Sequence, residues 1–120
     1  MRADRYQKLV KRTMNNDLSK NEKLSMLCMG IAGEAGEFVD HVKKHIYHGH
    51  DLDKNKAAKE LGDLLWYVGN SCNELQLSLE EVMVNNIKKL ENRYPEGFSS
   101  ERSKNRSEYK EPTETSRATR

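Results

Sequence analysis

Residues 19–46, SKNEKLSMLCMGIAGEAGEFVDHVKKHI, decide the fold. Ser19 followed by Glu22 has the form of a capping box, in which each side chain serves the other residue's backbone N–H. Leu24, Leu27, Ile31, Ala35, Phe38 and Val42 then recur at steps of three and four, one face of a long helix running to about Ile46. His48-Gly49-His50-Asp51 breaks the pattern. Asp53 can cap a third helix, along which Leu61, Leu65, Val68, Cys72 and Leu75 continue an apolar seam. Two long helices around a short polar turn are expected to fold back as an antiparallel hairpin.

Working outward, a shorter amphipathic helix is expected over residues 5–14, with Tyr6, Leu9, Val10 and Met14 on one side. Ser78 and Glu81 form a second capping box. The helix it opens carries Leu79, Met83, Ile87, Leu90 and Tyr94 inward until Pro95 and Gly97 stop it. No stretch alternates with period two, so the expected fold class is all-α, a four-helix bundle over residues 1–98. Residues 99–120 are rich in Ser, Thr, Arg and Glu without apolar periodicity, a composition that cannot offset its ordering entropy by burial, and a flexible polar tail is expected there.

A chain of 120 residues, 35% hydrophobic and 33% charged, fits one domain with a modest core, which self-association would extend. The net charge of +2, from 21 basic against 19 acidic residues, provides no broad footprint for nucleic acid or an anionic membrane. The start, Met1-Arg2-Ala3-Asp4-Arg5, has no apolar signal region, and no run approaches the roughly 18 residues of a membrane span, so a cytoplasmic protein is expected. Cys28 and Cys72 fall at similar distances from the turn and read as small buried thiols of a reducing compartment.

The chemistry lies in four acids. Glu34 and Glu37 on the second helix, and Glu60 and Asp63 on the third, are each spaced i,i+3, where like charges cost roughly 0.2–0.5 kcal/mol per pair unless a cation compensates. Counted from the turn at ~1.5 Å per residue, both pairs reach similar levels of the hairpin. Oxygen-only ligation suits hard cations, Mg2+ with Mn2+ as substitute. Lys89 and Arg93 stand i,i+4 on the fourth helix, and metal plus cations is equipment for polyphosphate, with a carboxylate to orient the attacking water. The plainer account makes Glu34, Glu37 and Asp40 a solvated face paired with His41, Lys43 and Lys44; two acidic pairs in register favour the metal.

Gly30, Gly33, Gly36, Gly62 and Gly69 all fall inside expected helices, where each costs roughly 1 kcal/mol relative to Ala, so they mark tight helix crossing or room for a ligand. No strand precedes them and no Lys-Ser/Thr follows, which excludes a phosphate loop. His45, His48 and His50 read as ordinary turn histidines, with a transition-metal site as the alternative. Trp66 and Tyr67, one turn after Asp63, are either core aromatics or a stacking surface for a base.

Three stretches resemble the MazG-like all-α nucleoside triphosphate pyrophosphohydrolases, relatives of dimeric dUTPases: Gly33-Glu34-Ala35-Gly36-Glu37, Glu60-Leu61-Gly62-Asp63-Leu64-Leu65-Trp66-Tyr67, and Asn86-Ile87-Lys88-Lys89-Leu90-Glu91-Asn92-Arg93-Tyr94-Pro95. The similarity runs from about Tyr6 to Arg106. It implies Mg2+ held by Glu34, Glu37, Glu60 and Asp63, Lys89 and Arg93 on the substrate phosphates, and Asn86 as a nucleotide contact. It also implies cleavage between the α and β phosphates, releasing nucleoside monophosphate and pyrophosphate, and assembly as a homodimer or homotetramer. Ala35 stands where many members carry an additional glutamate, which leaves the number of ions open. Arg102 to Arg106 is similar to a tail segment of small phage and bacterial relatives that can order over the pocket. The competing expectation is a non-enzymatic helical interaction module whose acids are surface ion pairs. A ferritin-like di-metal oxidase would need Glu-x-x-His on two helices, whereas His41 stands four after Glu37.

Overall fold

A computed structural model describes residues 1–106. In chain order it comprises α1 (Ala3–Val10), a 3-10 turn (Lys11–Thr13), α2 (Lys20–His48), α3 (Lys54–Glu74), α4 (Leu79–Arg93) and α5 (Ser100–Lys104). The described residues contain no strand; Pro95 and Gly97 form an isolated bridge. The chain divides into two compact units, Met1–Glu81 and Val82–Arg120.

In the first unit, α2 and α3 pack along their lengths as the expected hairpin. The capping box forms: the Glu22 N–H donates to Ser19 Oγ at 3.2 Å and the Ser19 N–H to Glu22 Oε1 at 3.0 Å. Gly49 ends α2 in the left-handed region at φ +71°, which an L side chain adopts at a cost. Asp53 then accepts the N–H groups of Asn55 and Lys56, both at 3.1 Å, and starts α3. At the far end Lys23 Nζ meets Glu74 at 3.7 Å, tying the first turn of α2 to the last of α3.

The first helix lies on α3 where Gly69 leaves room, since a Cβ there would stand 3.0 Å from Val10 Cγ2 and 3.6 Å from the Tyr6 ring. It begins two residues before the expected Arg5 and gives way to the 3-10 turn before Met14, although Val10 and Met14 are buried as the pattern required. A polar lattice fixes the crossing. Asn70, 1% exposed, donates Nδ2–H to the Val10 carbonyl at 3.1 Å, and Asn73 donates to that of Gln7 at 3.0 Å. The Gln7 side chain in turn accepts the Leu79 N–H and donates to the Leu77 carbonyl, each at 2.8 Å, locking the turn into α4.

Two features of α3 correct the sequence reading. Leu61, Leu65 and Leu75, expected on an apolar seam, are exposed. The face that is turned inward instead carries Ala57, Glu60, Leu64, Tyr67, Ser71 and Glu74 at alternating steps of three and four, so Glu60 sits on the inward face. Of the cysteines, Cys72 is buried, and burial pushes its thiol pKa up; Cys28 is exposed, contrary to expectation, one residue round the helix from the buried Leu27.

The helical glycines fall into two groups. The Tyr67 ring fills the place of a Cβ at Gly30, whereas Gly33, Gly36 and Gly62 face open space. Gly30→Ala should therefore lose stability, because displacing a packed ring costs about 1–3 kcal/mol and outweighs a helix-propensity gain of about 1 kcal/mol. Gly36→Ala in an isolated chain should gain up to that same ~1 kcal/mol. Urea midpoints of the two variants check both signs, and a loss at Gly36 would show that another chain occupies that space.

The second unit holds most of α4 and all of α5. Arg93, 9% exposed, places its guanidinium carbon 5.6 Å from the Tyr94 ring centre, and Tyr94 lies 5.5 Å from Phe98. A hydrogen bond with Ser103 lowers the Tyr94 phenol pKa, helped by Arg93 and Arg106. Met83 and Ile87, expected to point inward, are 52% and 54% exposed. The start of the expected tail is ordered into α5, because Ser99 caps it by accepting the Arg102 N–H at 3.3 Å. The remainder of that tail, residues 107–120, lies outside the described residues.

Candidate metal centre

Glu34 and Glu37 from α2 and Glu60 from α3 each bring a carboxylate oxygen within 4.8 Å of the others. Asp63 stands outside this trio and lines, with Glu34, Trp66 and Tyr67, an adjoining cleft of about 350 Å3. Glu34 thus belongs to both features.

The electrostatics are those of acids crowded together. Glu34 is pushed up to about 7 by desolvation, by its hydrogen bond with Glu60 and by the charges of Glu37, Asp63 and Glu60. Glu37 is also raised, chiefly by its hydrogen bond with Glu60, while Glu60 is lowered by its bonds to Glu37, Glu34 and His41. The charge of Asp63 reaches α1 as well, adding to burial in raising the Tyr6 phenol. Asp40 behaves differently. Lys44 at 2.8 Å and Lys43 at 3.1 Å hold its carboxyl down at about 2, which is the surface pairing that the plainer sequence account assigned to the whole segment.

One atom tests whether this set fits a cation. Glu34 Oε2 is buried with no hydrogen-bond partner among the described residues, a costly state for a carboxylate oxygen that a ligated ion would relieve. The donors are all carboxylate oxygens, the chemistry that hard divalent cations take. The residues fit.

The family model of the MazG nucleotide pyrophosphohydrolase domain matches residues 22–98. The chain belongs to the MazG family. A further relative is "Gene 37 protein" of Mycobacterium phage L5, 35% identical over 85 residues that cover 68% of this chain and 75% of that one; its name states no activity. No solved structure matches significantly. MazG membership carries a nucleotide pyrophosphohydrolase domain, a nucleotide as substrate and, in general, dependence on a metal, for which the acidic cluster is the candidate seat.

The remaining MazG-type site residues separate by element. Trp66 borders the cleft, and its ring stands edge-on to Tyr67 with centres 4.9 Å apart. Asn86 and Lys89 are exposed on α4, and Arg93 is nearly buried at its end. At the turn, His45 donates Nδ1–H to the His50 carbonyl at 2.8 Å, and among the described residues the turn histidines do not assemble a set of three ligands.

Two contacts escaped the sequence reading. His41 Nε2 lies 3.3 Å from Glu60 Oε1, and Trp66 donates its indole N–H to Thr13 Oγ1 at 2.7 Å. The first had a signal in the spacing of Glu34, Glu37 and His41, one helical face at steps of three and four. The second joins residues 53 apart and had none.

No helix among the described residues is long and apolar enough to cross a membrane.

Proposed function

We propose that the protein is a cytoplasmic, Mg2+-dependent hydrolase of nucleoside triphosphates, yielding nucleoside monophosphate and pyrophosphate as a clearance activity on the nucleotide pool. The observation that carries this reading is the buried, unpartnered Glu34 Oε2 inside a trio of carboxylates, in a chain of the MazG family. Glu34, Glu37 and Glu60 hold the ion, with Asp63, from the cleft side, as a fourth ligand; Mn2+ substitutes. When bound, such an ion neutralises charge that develops on the phosphates and polarises their oxygens.

The chain's own residues do the rest. Glu34 and Glu37 are the catalytic acids, carboxylates placed to orient an attacking water beside the ion. Lys89 and Arg93 bind and balance the phosphates, and Asn86 contacts the nucleotide, assignments that follow the family resemblance of α4. Trp66 offers a base its ring alone, because its N–H is already bonded to Thr13. Stacking without a donor favours tolerance of several bases over strict selection.

The same reading includes a homodimer or homotetramer. Met29 at 67%, Leu65 at 53% and Leu61 at 43% exposure share the hairpin with the open glycines Gly33, Gly36 and Gly62, and an uncovered apolar surface with little side-chain relief suits a second helix pair.

Incubation of the purified protein with a panel of canonical and modified triphosphates plus Mg2+ tests the function. Pyrophosphate should appear with at least one substrate and vanish with chelator. If none yields pyrophosphate, while Mg2+ leaves the melting temperature unmoved, the protein is instead a helical interaction module whose acids bind nothing.

A further inference from the structure

Glu60 differs from its two companions in one respect that the proposed reaction does not use. It is the single acid of the trio contributed by α3, so its orientation decides whether both arms of the hairpin serve one ion. Among the described residues its carboxylate also meets a nitrogen: His41 Nε2, reaching across from α2, stands 3.3 Å from Oε1, both side chains being less than one-third exposed.

We propose that His41 is a positioning residue for the metal centre, holding Glu60 through an Nε2–H to Oε1 hydrogen bond in the rotamer that faces Glu34 and Glu37. The inference rests on the reading of the trio as a cation site and deepens it. His41 lies four residues after Glu37 and seven after Glu34, which puts it on the α2 face that bears the acids, one turn nearer the connecting turn. An ionised carboxylate has acceptors alone, so the proton of this bond belongs to Nε2. The neighbouring cations do not take the role, since Lys43 and Lys44 both close on Asp40. With Oε1 engaged by His41, Oε2 and the remaining lone pairs of Glu60 are left for the ion. Partners of this kind behind metal ligands typically contribute 10–100-fold in metal affinity.

The side-chain geometry makes the test sharp. The amide nitrogen of Gln reaches the place of Nε2, whereas that of Asn reaches the place of Nδ1. Calorimetric titration of Mg2+ and Mn2+ into the wild type, His41→Leu, His41→Gln and His41→Asn should show about 10–100-fold weaker binding for Leu and Asn, and binding within a few-fold of wild type for Gln. Turnover by His41→Leu should return at saturating Mg2+ with KM for the triphosphate unchanged. Melting in chelator monitors folding, and the order of affinities should survive any shared loss of stability. Wild-type affinity in His41→Leu, or equal affinity in Gln and Asn, overturns the role of His41 while leaving the metal centre standing. A wild type that binds neither cation removes the centre itself, and the positioning role with it.

Discussion

Glu60→Gln is expected to lower kcat/KM for triphosphate hydrolysis by about three orders of magnitude, about 4 kcal/mol of transition-state stabilisation, and at the same time to raise the melting temperature of the metal-free protein. The opposed signs follow from one geometry. Glu34, Glu37 and Glu60 hold oxygens within 4.8 Å of one another; desolvation and then the neighbouring carboxylates raise the proton affinity of Glu34, and the hydrogen bond and charge of Glu60 raise that of Glu37. Gln keeps the shape and still accepts the His41 hydrogen bond through its carbonyl oxygen, yet it removes one charge from the cluster and can donate to the two remaining carboxylates. Repulsion falls, and the folded state gains. The ion loses a charged ligand, and the phosphoryl group loses the field that compensates it. Sites built to bind a cation are commonly strained without it, so stability gained at the expense of function is the expected direction. Steady-state kinetics and melting curves recorded in chelator decide the matter; a variant that turns over at the wild-type rate, or melts lower than wild type, contradicts the assignment of Glu60.

Local signals explain most of what could be read before the structure. The capping box of Ser19 and Glu22, the Gly49 break and the Asp53 cap are complete within a few residues each, so the hairpin was legible from spacing alone. The level of the acids was legible for the same reason, because i,i+3 pairs at similar distances from a turn come to one height when two helices fold back, and Glu34, Glu37 and Glu60 draw together while Asp63 stands outside the trio. What failed depended on rotation about a helix axis. Leu61 and Leu65 make as good a seam as Leu64 with Tyr67, and composition does not reveal which side α2 covers. The Tyr67 ring seated over Gly30, together with Tyr6 and Val10 against Gly69, settles the rotation and brings Glu60 onto the inward face. The Thr13 to Trp66 bond depends on where α1 crosses α3, a choice made by Asn70 and Asn73 through backbone carbonyls that sequence does not display.

Metal-free protein should lose stability as the pH rises from about 5 to about 8, and Mg2+ should reverse the trend. The folded value of Glu34, about 7, lies above its ordinary value of 4.5, so the folded state retains a proton that the unfolded chain releases. Stability from that proton is full below the ordinary value and is lost as the pH climbs through 7. The raised Glu37 adds to the same slope. Glu60 and Asp40, both lowered, act with the opposite sign, but their contribution is lost when the pH falls to their depressed folded values, below this window. Above neutrality the crowded carboxylates of the trio therefore repel one another more strongly. An ion that requires all of these carboxylates ionised binds more tightly there and displaces the retained proton. At one hundred times its Kd it would stabilise the fold by about 2.7 kcal/mol. Melting temperatures in chelator should decline across the window, those in excess Mg2+ should not, and the gap between them should widen with pH. Glu34→Gln, lacking the titrating group, should flatten the chelator curve. A metal-free melting temperature that rises from pH about 5 to about 8, or a Mg2+ increment independent of pH, would show that these acids do not share their proton in the way their spacing requires.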